Sequence, residues 1–119
     1  MQEIASWDRE FHLWTFSVSH SRLLLRSVNV DDQDTRIDVL FSGVERLNLP
    51  SSFQHLQIHK LDAPEVPAII RDELNNLHRT HIFLLNGQDF FVQATHCQWH
   101  QDIGGPATPS KFGPFRKVE

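Results

Sequence analysis

The sequence predicts an α+β domain, mainly antiparallel β with six or seven strands and one amphipathic helix packed on a sheet face. Three observations lead there. Over most of the chain apolar and polar residues alternate, the period of a half-buried strand. One stretch, residues 64–78, spaces its apolar residues at the helical period instead. Short polar or glycine-containing turns separate the runs, which favours hairpins in sequence order. A roll, a half-barrel and a small sandwich all satisfy this pattern.

Residues 11–19 (FHLWTFSVS) are rich in β-favouring side chains, with Trp14, Phe16 and Val18 on one face. Only His20 and Ser21 separate them from residues 22–30 (RLLLRSVNV), a spacing suited to a hairpin. A polar turn at residues 31–34 leads to 36–42 (RIDVLFS), where Ile37, Val39 and Phe41 alternate with polar neighbours. These three strands read as a meander. Gly43 punctuates it, and residues 53–61 (FQHLQIHKL) alternate again. The helix is expected near 65–78, where Val66, Ile69, Ile70, Leu74 and Leu77 form one stripe. Pro64 and Pro67 confine its start to that first turn. Residues 80–85 and 89–99 then flank Asn86-Gly87, the strongest short hairpin signal in the chain. From Gly104 the composition changes to GGPATPSKFGPFRKVE, read as an extended tail pinned by Phe112 and Phe115. The expected organisation is one domain over residues 1–103 followed by a tail over 104–119.

Composition bounds the function. The chain has 119 residues, of which 37 are Leu, Ile, Val or Phe, enough for a small packed core. Net charge is −4 with histidine neutral, so gripping nucleic acid is not expected. Arg22, Arg26, Arg36 and Arg46 interleave with Asp31, Asp32, Asp34 and Asp38, which favours cross-strand ion pairing over a phosphate-binding platform. The lone cysteine, Cys97, excludes an internal disulfide framework and suits a reducing compartment. No apolar run is long enough to cross a bilayer and no signal peptide is visible, so a cytoplasmic protein is expected.

Histidine is the compositional anomaly, with eight residues at 12, 20, 55, 59, 78, 81, 96 and 100. The pairs 55/59 and 96/100 have helical spacing but lie in predicted strands. Four strand residues span roughly 13 Å, too far for one zinc at about 2.1 Å per ligand. A metal would have to be assembled across strands, and His81 and His96, on one face of the predicted hairpin, are the candidates. With a four-residue loop the same hairpin sets His78 opposite Cys97, the minimum apparatus of a thiol nucleophile. Solvated histidines and a buried, inert cysteine are the simpler readings. Ser17, Ser19 and Ser21 surround His20 without a nucleophile-elbow motif. No catalytic, cofactor or metal site is therefore assigned.

The patterns F-x-x-W-x-F-x-V-S-H-S-x-L-L-L-R-S from Phe11 and T-R-I-D-V-L-F-x-G-V-E-x-L-x-L-P from Thr35 to Pro50 resemble a group of small uncharacterised bacterial proteins. The resemblance covers about forty residues, with a weaker echo in the hairpin around 82–93. It implies a bacterial origin and transfers no activity and no catalytic residue. Small size, negative charge and abundant aromatics favour a non-enzymatic module, immunity- or adaptor-like, whose partner is another protein. The alternatives are a histidine-assembled metal or Cys/His enzyme and a small-ligand-binding domain.

Overall fold

The computed structural model describes residues 1–27, 35–62, 65–66, 79–87 and 90–103. They form ten strands: β1 (Gln2–Trp7), β2 (Phe11–Ser17), β3 (Arg22–Ser27), β4 (Thr35–Ser42), β5 (Arg46–Asn48), β6 (Ser52–Phe53), β7 (Leu56–Leu61), β8 (His81–Leu85), β9 (Phe90–Ala94) and β10 (His96–Ile103). Two antiparallel sheets result, each of five strands. One has the order β1-β7-β8-β9-β5 and the other β10-β4-β3-β2-β6.

The two sheets are joined by ribbons that bend from one into the other. β4 and β10 pair as far as Ser42↔His96, and the same two chain segments resume pairing in the other sheet at Arg46↔Gln93. Between those pairs, Gly43, Val44 and Glu45 oppose only Ala94 and Thr95. One side thus carries an extra residue, the signature of a β-bulge, and Gly43 takes the left-handed φ of +65° found in one bulge class. Ser42 O accepts hydrogen bonds from both Thr95 N (2.9 Å) and Thr95 Oγ1 (2.8 Å), and Glu45 N donates to Gln93 O (2.9 Å). A second corner repeats the count. Trp7↔Leu56 is followed by Phe11↔Phe53, with Asp8, Arg9 and Glu10 against Gln54 and His55. Strands that switch sheets at bulges are how two sheets share one core without free ends.

Between the sheets lies that core, built by alternate residues: Phe11, Leu23, Leu25, Ile37, Val39 and Phe41 from one, Leu56, Ile58, Phe83, Leu85, Val92 and Ala94 from the other. Phe41 meets Phe83 at 5.6 Å between ring centroids and Phe53 meets Phe90 at 6.0 Å, both edge-on. Along one lateral seam Trp7 of β1 and Trp99 of β10 close the gap, 5.7 Å apart and T-shaped. The buried Arg9 of the second corner ties the ends of β3 and β4 together. Its Nε donates to Ser27 Oγ (3.1 Å), Nη1 to Thr35 Oγ1 (2.8 Å) and Nη2 to Thr35 O (2.7 Å).

On the opposite face of β3, β4 and β10 the arginines and aspartates of the sequence form a ladder. Arg26 and Asp38 are directly opposite and pair through two contacts, Nε–Oδ1 at 2.7 Å and Nη2–Oδ2 at 3.1 Å. Arg36 and Asp102 are likewise opposite, with Nε–Oδ1 at 3.1 Å and Nη2–Oδ2 at 2.9 Å. Arg36 also stands 3.9 Å from Asp38, linking the two pairs. The guanidinium of Arg26 lies 5.1 Å from the centroid of the Trp14 ring. Arg36 is 0% and Asp38 2% exposed, so these charges are out of water and depend on one another.

The α+β expectation is overturned: the described residues are 70% strand and contain no helix, so the described fold is all-β with two five-stranded sheets. Of the helix expected near 65–78, only Glu65 and Val66 are described; the rest falls outside the described residues. Val66 packs with Leu61 and Ile82 on the outer face of the β7-β8 sheet, a second small apolar cluster. It lies between Pro64 and Pro67, and the residue before a proline is steered away from helical geometry. The tail expected over 104–119 also lies outside the described residues. Two long expected strands are broken, 53–61 at Gln54-His55 and 89–99 at Thr95, because each passes from one sheet to the other there. No helix among the described residues is long and apolar enough to cross a membrane.

The hairpin at Asn86-Gly87 forms, with Leu85↔Phe90 as its last pair and φ of +60° and +58° at the two residues. A side chain built on Gly87 would meet nothing within 4 Å, whereas one on Gly43 would press on Thr95, with Cγ2 at 2.9 Å and Oγ1 closer still. Gly87→Val is therefore expected to cost about 1–2 kcal/mol from backbone strain alone. Gly43→Ala, although the smaller change, should cost more, about 2–4 kcal/mol, by adding overpacking to strain. Urea titration ranks the two, and the reverse order would refute this account of the corner. Asp38→Ala, which strips Arg26 and Arg36 of a shared carboxylate, should lose about 3–5 kcal/mol by the same measurement; a loss below about 1 kcal/mol would show that the ladder is not structurally coupled.

Candidate functional site

The thiol reading brought together Cys97 and His78. Cys97 lies on β10, opposite Phe41 of β4, and faces the core, while β8 and β9 stop pairing at His81↔Ala94. The turn at Thr95 sends Cys97 into the other sheet, so it does not continue the hairpin that was to bring it to His78. His78 itself is outside the described residues. Burial pushes the Cys97 thiol up to about 12, the opposite of what a nucleophilic cysteine requires.

The metal reading named His81 and His96. They come within electrostatic reach of each other across the Thr95 corner, and the third group there is Lys60, a cation. Among the described residues no three His, Cys, Asp or Glu side chains converge as a metal site would need. The other histidines are dispersed. His12 Nε2 lies 3.3 Å from Glu10, His59 Nε2 3.9 Å from Glu3 and His100 Nε2 3.8 Å from Asp102.

One contact escaped the sequence reading. Because residues 18–20 form a turn, Ser17 Oγ and Ser19 Oγ both reach His20 Nδ1, at 3.3 and 3.0 Å. Strand alternation, which places neighbours on opposite faces, hid this. The group is exposed, and no described carboxylate accepts a hydrogen bond from the ring to orient it, which a Ser–His nucleophile needs.

The surface around β2 is more distinctive. Of the five large hydrophobic residues exposed among the described residues, three belong to β2 and its turn: Trp14 (39%), Phe16 (40%) and Val18 (79%). β6 covers only the start of the strand, pairing Phe11 and His12, and Leu13 N donates to Ser51 O at 2.8 Å. From Trp14 to Ser17 the outer edge of β2 has no neighbouring strand among the described residues. Edge strands of stable proteins are usually blunted with charge or proline. Here residues 13–19 (LWTFSVS) contain neither; a bulge between Leu13 and Thr15 is the only such device. The arrangement offers backbone donors and acceptors beside three exposed apolar side chains.

The buried thiol makes a prediction of its own. At pH 8 native Cys97 should react with a disulfide reagent at least about 100-fold more slowly than in denaturant, since its thiolate is suppressed by burial. Comparable rates in the two states would show that the thiol is accessible.

No protein family, curated protein or solved structure matches this chain, so its functional reading rests on the geometry alone.

Proposed function

We propose that the protein is a bacterial, non-enzymatic interaction module, immunity- or adaptor-like, that docks a partner protein along β2 and its turn. The observation that carries this reading is the concentration of Trp14, Phe16 and Val18 on an uncharged, partly unpaired strand edge. Exposed apolar residues scattered singly need no explanation, but three within one strand edge and its turn do, and the bulge after Leu13 sets Trp14 by Arg26 and Phe16 in register with Leu23, on the two faces of that edge. An incoming strand can complete the ladder while its side chains meet the aromatics, which couples affinity to both backbone and side-chain contacts. Aromatic residues of this kind contribute a large share of binding energy where they become desolvated.

The variant Trp14→Ser/Phe16→Ser/Val18→Ser tests the assignment against Trp99→Ser, which removes an exposed aromatic elsewhere. Partners retained from a bacterial extract are identified, and each is then purified and its affinity measured. The triple variant should weaken binding by at least about 100-fold, while Trp99→Ser leaves it within a few-fold. Equal weakening by both variants, or a partner indifferent to the triple variant, would remove β2 as the docking element.

A further inference from the structure

At the other end of the β8 strand the sheet gathers positive charge. Lys60 of β7 is registered with Phe83 of β8, and His81 sits two residues before Phe83 on the same face. Cross-strand diagonal neighbours of this kind are about 7 Å apart, within reach for long side chains. The His81 ring is packed against Phe83, 6.1 Å between centroids and near edge-on, which fixes its direction. His81 is opposite Ala94, and His96, two residues further along past the bend at Thr95, lies near enough to act electrostatically on the His81 ring.

We propose that Lys60, His81 and His96 form a binding site for a tetrahedral oxyanion, a sulfate or phosphate group, beside the Thr95 corner. The donors suit it. Thr95 Oγ1 spends its hydrogen on Ser42 O, so towards His96 Nδ1, 3.1 Å away, it accepts. Neutral His96 therefore carries its proton on Nδ1, and Nε2 becomes a donor only when the ring takes up a second proton. Three N–H groups, one from each side chain, then meet an anion with acceptors on several oxygens.

Electrostatics around His81 agree. Partial burial, Lys60 and His96 all hold its pKa below the ordinary histidine value, in that order of importance. The charges acting on it are thus cationic. On the packed elements, β9 (Phe90–Ala94) contains no ionisable residue. Glu3 of β1 is registered with His59 and meets Gln57 on the opposite face. Glu65 accepts from Asp62 N and from the terminal ammonium. Neither Asp62, just past β7, nor Glu45, just before β5, is among the charges that set the His81 pKa. A bound oxyanion would supply the missing negative charge, so binding takes up protons and tightens as pH falls from 7 towards 5.

Imidazole resonances followed from pH 5 to 8 in sulfate, against sodium chloride of equal ionic strength, test this directly. Sulfate keeps its charge over that range, so it reports the site rather than its own titration. The expected result is a saturable rise of about one pH unit in the His81 midpoint, shared by His96 and absent from His12 and His55. Lys60→Gln should have two opposite effects: a higher His81 midpoint without sulfate, and a smaller rise with it. Inorganic phosphate should reproduce the saturable shift, whereas acetate at the same ionic strength should not. A shift matched by chloride, a shift that does not saturate, or one unchanged in Lys60→Gln would overturn the site.

Discussion

The two sheet-switching corners are the constraint on which the rest of the structure depends. At each, three residues oppose two, and the extra residue lets one hydrogen-bonded ribbon leave one sheet and enter the other. Gly43 is required at the first for two separate reasons: its left-handed φ and its contact with Thr95. Arg9 serves the second, where a buried guanidinium ties the turn to Ser27 and Thr35. With both corners in place, alternate residues of every long segment face the same core. Without them, the alternation that built the strands would carry apolar faces away from one another.

The distribution of polarity follows from that geometry. The arginines and aspartates of β3, β4 and β10 meet in register on the face away from the core, so buried charge is matched residue against residue. Such a ladder contributes little as an isolated attraction, since desolvation offsets the pairing, but it penalises any register that leaves a charge alone. Register is therefore specified twice across these strands, by the apolar face and by the charged one. β2 borders the same sheet and from Trp14 to Ser17 carries no charge. Its exposed aromatics stand beside a strand edge whose backbone groups have no strand to pair with among the described residues. The proposed docking element and the charged ladder are connected through Arg26, whose guanidinium lies over Trp14.

Much of this was legible in the chain. The β2–β3–β4 meander, the Asn86-Gly87 turn and the Arg–Asp pairing follow from period-two alternation, from the need for positive φ at a tight turn, and from cross-strand neighbours of opposite charge. Two strands were not legible. β1 (QEIASW) mixes polar and apolar residues around an irregularity at Ile4, and β5 is only three residues long, so neither shows a period. Of the helical stripe only Val66 is among the described residues, and it lies outside any helix. Spacing at i, i+3 and i+4 is a statement about faces, and two prolines three residues apart weaken it locally.

The candidate sites divide along the same line. Sequence alone determined that Cys97 is the single thiol, that histidines are abundant, and that residues 13–19 carry neither charge nor proline. Which of these residues meet was decided by tertiary structure. A one-residue turn at Thr95 moves Cys97 out of the β8–β9 hairpin into the other sheet, and His96, just past that turn, comes within electrostatic reach of His81. Strand periodicity extends only as far as the strand does. A bulge shifts register by one residue and reassigns every side chain beyond it, and whether a bulge forms depends on contacts such as Gly43 with Thr95, 52 positions apart in sequence.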